Sequence, residues 1–189
     1  MIDSLVNFNN SIKKSNILKK IKCPEAYGLM TFHRPSNVDR KETLSELLNT
    51  IEKCCSSLTM VLPLHPRTKK SLIKHSLWDK FKSIKNLIYT DSLGYLDFMK
   101  LVTNSKIVIT DSGGIQEETT FLQIPCLTVR ENTERPITIE MGNNELVHLN
   151  ASLISTRMIE KLQSDQKGTI PPLWDGPAPA QILAISRPS

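Results

Sequence analysis

Short apolar segments that alternate with amphipathic segments constrain the fold of this 189-residue chain more than any other feature. The apolar segments predict strands at Tyr27–Phe32, Leu58–Leu64, Asn86–Thr90, Ile107–Ile109 and Pro125–Val129, and a short sixth strand at Leu146–Leu149. Five or six strands joined through helices by short links specify an α/β fold with a doubly wound, mostly parallel Rossmann-like sheet.

The segments between these strands have the apolar periodicity of helices. It predicts helices at Asp3–Ile21 with Ser4 as cap, Lys41–Cys55, Thr68–His75 with Thr68 as cap, Tyr95–Thr103, the Ser-Gly-Gly turn to Leu122, Ala151–Leu162 with Asn150 as cap, and Ala180–Ser186. Trp78 and Phe81 are expected to be core or half-buried residues.

Polar clusters follow four of the predicted strands. They are His33 with Arg34, His65 with Arg67, Ser112 with Gly113 and Gly114, and Arg130 with Arg135. Because parallel strands end at one edge of a sheet, these clusters are expected to converge there. A cationic edge with a glycine turn suits a diphosphate.

The stretch Ile107–Glu118, with the sequence IVITDSGGIQEE, is the strongest candidate within this edge. A buried strand ends at Asp111, and Ser-Gly-Gly then opens a helix whose amides can hold an anion. The alternative is an ordinary strand-to-helix turn with nothing bound. Neither the dinucleotide-binding G-x-G-x-x-G spacing nor a P-loop is present.

His33 has two interpretations on the sequence pattern alone. A histidine just past a strand end can donate to a phosphate or transfer a proton near neutral pH. It can equally be a structural histidine that bonds a loop carbonyl.

Composition narrows the class of protein. The 39% apolar and 23% charged content is that of an ordinary globular domain, and the 24 Lys and Arg residues are scattered, with a net charge of +5. The basic segments Arg67–Lys74 and Lys80–Lys85 favour solvated helix faces over a nucleic-acid site. The four cysteines lack a C-x-x-C motif, which favours a reducing compartment over a zinc or redox site. We therefore expect a cytoplasmic protein without a signal peptide or a membrane span of about 20 apolar residues.

Six strings of residues carry a family resemblance. They are TFHRPSNVD (Thr31–Asp39), LPLHPRT (Leu62–Thr68), GYLDFMKL (Gly94–Leu101), TDSGGIQEE (Thr110–Glu118), TVRENTERP (Thr128–Pro136) and PPLWDG (Pro171–Gly176). In order and spacing they resemble the non-hydrolysing UDP-N-acetylglucosamine 2-epimerases. The resemblance is to the carboxyl-terminal half of these enzymes. It implies that the chain is one of the two Rossmann-like halves of a glycosyltransferase-B-type fold.

The resemblance also implies residue roles. Ser112, Gly113 and Gly114 are similar to the turn that holds the diphosphate, and Glu118 to the carboxylate that binds the ribose hydroxyls. Further roles follow for Phe98 beside the uracil, for His33 at the diphosphate and reaction centre, and for Arg135 facing the same pocket. Arg34 and His65 are similar to residues that hold a second, activating UDP-N-acetylglucosamine. The alternatives are a solvent-facing helix residue for Glu118 and a surface ion pair for Arg135.

The chemistry implied by the resemblance is inversion at C2 of the sugar. UDP leaves by elimination to give 2-acetamidoglucal and then adds back to the opposite face, with no metal or nicotinamide cofactor. The main acid/base carboxylates of the family lie in its amino-terminal half. We therefore expect activity to need that half or a homo-oligomer, and no nucleic-acid or membrane partner.

The expected organisation is an amino-terminal helix and linker at residues 1–22, a UDP-binding domain at 23–176 and a tail at 177–189. In the tail, Pro177 and Pro179 stand where the family has helix formers. Two other functions share the fold: a UDP-sugar-binding module without catalysis, and the donor-binding half of a glycosyltransferase.

Overall fold

One six-stranded parallel sheet organises the computed structural model, which describes residues 5, 7–164 and 169–171. Its strands are β1 (Gly28–Thr31), β2 (Met60–Leu64), β3 (Leu87–Asp91), β4 (Ile107–Thr110), β5 (Cys126–Val129) and β6 (Asn144–Val147). Their spatial order is β3-β2-β1-β4-β5-β6, and every neighbouring pair is parallel. The predicted Rossmann-like α/β sheet is confirmed.

Ten helices are assigned within the described residues. They are α1 (Asn9–Lys14), α2 (Ile17–Lys20), α3 (Pro35–Val38), α4 (Lys41–Cys55), α5 (Pro66–Lys74), α6 (Trp78–Lys82), α7 (Tyr95–Asn104), α8 (Gly113–Phe121), α9 (Ile137–Glu140) and α10 (Ala151–Gln163). Helix α4 has the predicted bounds. The predicted cap of α10 is also confirmed, since the Asn150 side chain accepts a hydrogen bond from the Leu153 amide at 2.9 Å.

Each face of the sheet carries its own hydrophobic core. Successive side chains of a strand point to opposite faces, so Leu29 and Met30 of β1 belong to different clusters, as do Val108 and Ile109 of β4. Helices α4 and α10 cover one face, and α1, α2 and α7 cover the other. Phe81 is buried in the first cluster and Trp78 packs against it, as predicted.

The single helix predicted for Asp3–Ile21 is wrong in the described part of that segment. The chain leaves helical conformation at Ser15, which has extended backbone angles and separates α1 from α2. The Ser15 hydroxyl donates to Asp97 of α7 at 2.6 Å and accepts from the Ile17 amide. A serine side chain that bonds nearby backbone competes with helix continuation, which accounts for the break.

Two predicted boundaries also need correction. Helix α5 begins at Pro66, and its cap is the His65 ring, which accepts from the Arg67 amide. The Thr68 hydroxyl donates instead to the Phe32 carbonyl and ties α5 to the end of β1. Strand β6 was predicted at Leu146–Leu149. It lies two residues earlier, at Asn144–Val147, where it pairs with β5.

Several predictions lie outside the described residues. These are the Ser4 cap, the 180–186 helix, the 177–189 tail and the PPLWDG motif after Pro171. Within the described part of the chain, no helix has the length and hydropathy needed to cross a bilayer.

Candidate functional site

The loops that follow β1, β2, β4 and β5 leave the sheet at its carboxyl edge, because all six strands are parallel. The four polar clusters predicted from the sequence therefore share this edge. The order of strands reverses between β1 and β4, and such a switch point is where open α/β sheets form their binding crevice.

The start of α8 forms an uncapped helix N-terminus at the switch point. We call its residues Ser112, Gly113 and Gly114 the anion cradle. Ser112 is the N-cap residue, but its side chain makes no capping bond. The Ser112 amide donates to Thr110 Oγ1 at 3.0 Å. The amides of Gly113 and Gly114 have no partner within the helix, so they can donate to an anion, which the helix dipole also favours.

Asp111 fixes the geometry around the anion cradle. Its side chain is 0% exposed and accepts from the backbone amides of His33 and Arg34 and from the Asn37 side chain at 2.9–3.1 Å. Burial opposes ionisation, but these bonds and His33 outweigh it and hold the pKa of the Asp111 carboxyl below its ordinary value. An ionised Asp111 thus joins the ends of β1 and β4.

His33 is oriented by this carboxylate and not by a loop carbonyl. Its Nδ1 lies 3.1 Å from Asp111 Oδ1, so Nδ1 carries the proton of the neutral ring and Nε2 is left for other partners. The His65 ring lies 5.3 Å from the His33 ring, centroid to centroid. Burial and the neighbouring His33 both lower the pKa of His65.

Glu118 is buried one turn into α8, with only 3% of its surface exposed. The structure therefore excludes the solvent-facing alternative for this residue. The Tyr95 hydroxyl donates to its Oε1 at 3.3 Å. Burial raises the pKa of Glu118 to about 7, although the bond from Tyr95 opposes the shift. Phe98, three residues after Tyr95 on α7, is half-buried against the second core cluster.

Arg135 forms an ion pair with Glu117 of α8, with 2.7 Å between Nε and Oε1. This partly exposed pair agrees with the surface ion-pair alternative. The loop after β5 is nevertheless held in place by hydrogen bonds to a side chain of α8. The buried Gln116 accepts from Thr133 at 2.7 Å and from Asn144 at 3.3 Å, which holds the loop against the body of α8.

Arg34 and Arg130 extend the positive charge beyond the anion cradle. Arg34 donates from Nε to the Asp111 carbonyl at 3.0 Å. Both arginines line a cavity of about 380 Å³ that Arg40 and His148 also border. In the described part of the chain, no cluster of His, Cys, Asp or Glu side chains is arranged to hold a metal ion.

Sequence reasoning missed the structural roles of Asp111, Asn37, Tyr95 and Gln116. The sequence pattern marks Asp111 only as the end of a strand and Tyr95 only as the start of a helix. Position alone gave a usable signal for Asp111, because an acid between a β-branched run and a glycine turn lies at the crevice. The partners of the other three residues depend on which strands are neighbours.

The sequence of this chain matches a family model and several known proteins. The family model described as UDP-N-acetylglucosamine 2-epimerase matches residues 1–187. A UDP-N-acetylglucosamine 2-epimerase of Methanocaldococcus jannaschii is 35% identical over 187 residues, 96% of this chain and 51% of its own length. A UDP-N-acetylglucosamine 2-epimerase homolog of Methanococcus maripaludis is 41% identical over 82% of this chain and 43% of its own.

Solved structures agree with these matches. The crystal structure of the M. jannaschii enzyme in complex with UDP-GlcNAc and UDP superposes with a TM-score of 0.83 and 34% identity, over 98% of this chain and 53% of that one. The wall teichoic acid polymerase TagF, at 13% identity and a TM-score of 0.51, shares the fold alone.

The chain spans about half the length of the curated relatives that it matches. Its single Rossmann-like sheet is consistent with the carboxyl-terminal half of a glycosyltransferase-B-type fold, as the six sequence motifs indicated. The family model covers nearly every residue, and a relative at 35% identity is matched over 96% of this chain. The chain therefore belongs to the UDP-N-acetylglucosamine 2-epimerase family.

Proposed function

We propose that this chain is the nucleotide-binding half of a UDP-N-acetylglucosamine 2-epimerase, which interconverts UDP-GlcNAc and UDP-ManNAc. The observation that carries the proposal is the uncapped start of α8, with the buried Glu118 one turn beyond it and His33 across the switch point. The family membership supports it, as does the relative whose structure is described as a complex with UDP-GlcNAc and UDP.

UDP would lie along α8. The diphosphate lies at the turn of Ser112, Gly113 and Gly114 and accepts from the amides of the two glycines, and the ribose hydroxyls donate to Glu118. Phe98 lies beside the uracil, and Arg135 faces the diphosphate once it leaves Glu117. Because Glu118 is the only acceptor of this set, its ionised form is the binding form.

Among the described residues, His33 is the one to which we assign a catalytic role. With Nδ1–H held by Asp111, the imidazolium form of His33 can donate from Nε2–H to an oxygen of the departing diphosphate and stabilise the charge that develops as UDP leaves. Elimination also removes the proton at C2, and the groups for that step belong to the other half. We therefore propose that turnover needs an amino-terminal half or a second copy that covers the carboxyl edge.

Arg34 and His65 are the proposed contacts to a second, activating UDP-sugar. They flank His33, and the His65 ring lies 5.3 Å from the His33 ring, so a ligand there would touch the catalytic site.

A cytoplasmic location completes the proposal. It is supported by the four free cysteines, three of them buried, which suit a reducing compartment.

Calorimetric titration with UDP tests the proposed binding. We expect micromolar affinity at pH 8, and we expect Glu118→Gln to weaken it about 10-fold or more, because a hydrogen bond to a charged group contributes about 1.5–3 kcal/mol. Glu25→Gln removes the same charge just ahead of β1, at the opposite edge, and should leave the affinity unchanged.

Turnover is tested separately by NMR with UDP-N-acetylglucosamine, with and without an amino-terminal half supplied in trans. The proposal predicts no 2-epimer from the monomeric chain and formation of the 2-epimer once the other half is added. UDP binding without turnover under every pairing would instead support a non-catalytic binding module. Transfer of the sugar to an acceptor would support a glycosyltransferase.

A further inference from the structure

The Arg130 side chain is only 5% exposed, although it lies beside the anion cradle. Its Nη2 lies 2.9 Å from Glu134 Oε1. Its Nη1 is buried and has no hydrogen-bond partner among the described residues. A buried guanidinium N–H without an acceptor is costly, so this position suits an acceptor that arrives with a ligand.

The unpartnered nitrogen lies against the first residue of α8. A Cβ placed on Gly113 would lie 3.3 Å from Arg130 Nη1 and 3.5 Å from Glu134 Oε2. Gly113 does not have a positive φ, so its backbone conformation does not require glycine, and of these two contacts only the one to Arg130 Nη1 is tighter than an ordinary van der Waals contact. The guanidinium, the carboxylate and the α8 N-terminus therefore share one small volume.

Glu134 is the negative group in that volume. It is 67% exposed, yet the hydrogen bond from Arg130 and the charges of Arg130, Arg34 and Arg135 lower the pKa of its carboxyl. The guanidiniums of three arginines and a helix N-terminus thus favour an anion at this point. A carboxylate and a phosphate satisfy such donors in the same way.

We propose that Arg130 is a further diphosphate-binding residue, and that the Glu134 carboxylate holds its place until the nucleotide displaces it. This inference rests on the proposed function, since it places the UDP diphosphate at the α8 N-terminus. Binding then exchanges one acceptor of Arg130 for another and gives Nη1 the partner that it lacks.

Inorganic pyrophosphate, UDP and uridine separate this exchange from the rest of nucleotide binding. Glu134→Gln removes the competing anion, so pyrophosphate and UDP should both bind about 3- to 10-fold more tightly, while uridine is unaffected. Glu131→Gln, which removes the same charge from the same loop, should change each affinity less than about twofold.

Arg130 variants supply the converse test. Arg130→Gln should weaken pyrophosphate and UDP about 10-fold or more, and Arg130→Lys should weaken them less because it keeps the charge. In the Arg130→Gln background, Glu134→Gln should no longer tighten binding, since the two residues act through one contact. If Arg130→Gln does not fold, as judged by circular dichroism, Arg130→Lys and Glu134→Gln decide the question.

The outcomes distinguish this inference from the proposed function. If the wild-type chain binds UDP and Glu134→Gln behaves like Glu131→Gln, the exchange is overturned and the proposed function stands. If pyrophosphate binds more tightly to Glu134→Gln but UDP does not bind at all, the exchange stands and the proposed function fails. If no variant binds either anion, both are overturned.

Discussion

At the scale of single residues, two buried carboxylates at the same edge of the sheet behave in opposite ways. Asp111 accepts several hydrogen bonds, and they hold its pKa below the ordinary value. Glu118 has one bond, from Tyr95, and burial raises its pKa to about 7. The first carboxylate stabilises the fold, whereas the second is left with accepting capacity that a ligand can use.

Glu118 should make the stability of the chain depend on pH in a defined direction. Burial raises its pKa from the ordinary value of about 4.5 to about 7, so its contribution is fully present below about pH 4.5 and is lost as the pH rises to 7. Glu118→Gln should therefore unfold at nearly the same urea concentration as the wild type at pH 4 and be more stable by about 2–3 kcal/mol at pH 8. An equal difference at both pH values would contradict this.

UDP affinity should also depend on the protonation of Glu118, but it should rise with pH, whereas the stability of the chain falls. An ionised carboxylate accepts hydrogen bonds from the ribose hydroxyls more strongly than a protonated one, so the affinity should fall as the pH drops from 8 to 6 and protonates Glu118. Titration calorimetry across this range measures it. Glu118→Gln serves as the control, because its weaker binding should lack this step.

Asp111→Asn should destabilise the chain strongly. The amide would present N–H groups to the donors of His33, Arg34 and Asn37, and the unmade bonds predict a loss of about 2–4 kcal/mol at pH 7. Since the pKa of Asp111 is lowered on folding, the loss should shrink as the pH falls below about 4. Urea unfolding provides the measurement.

Asp79→Asn is the matched control. It removes an exposed pair with Lys82 and should cost less than about 0.5 kcal/mol. Equal losses for the two variants would mean that Asp111 does not organise the edge.

At the scale of elements, local sequence signals decided where most helices and strands lie. The β-branched run before Asp111 and the Gly-Gly turn predicted β4 and the start of α8, because both signals act within a few residues. The break between α1 and α2 could not be predicted, since the Ser15 hydroxyl bonds Asp97, 82 residues away. The approach of Arg130 and Glu134 to Gly113 was hidden for the same reason, because Gly113 lies on the preceding helix and not in their own loop.

The cap of α10 gives a prediction for a single element. The Asn150 side chain accepts from the Leu153 amide, and replacing an N-cap residue by alanine typically costs about 1 kcal/mol. Asn150→Ala should lower the free energy of unfolding by that amount, while Asn150→Asp should keep it within about 0.5 kcal/mol. If the aspartate variant loses as much as alanine, the cap is not the source of the effect.

At the scale of the whole molecule, one property of the sheet assembles the site. Six parallel strands bring four loops to a single edge, and the reversal of strand order at β1 and β4 places the crevice between the loop after β1, which carries His33 and Arg34, and the anion cradle after β4. The alternation of apolar and amphipathic segments was enough to predict this edge. It could not predict which side chains pair across it, because pairing depends on the order β3-β2-β1-β4-β5-β6.

A crystal structure of the chain grown with UDP would show whether the nucleotide lies along α8. We expect diphosphate oxygens within hydrogen-bonding distance of the Gly113 and Gly114 amides, and ribose hydroxyls on the Glu118 carboxylate. UDP bound anywhere else, or an unchanged site at millimolar UDP, would contradict this expectation.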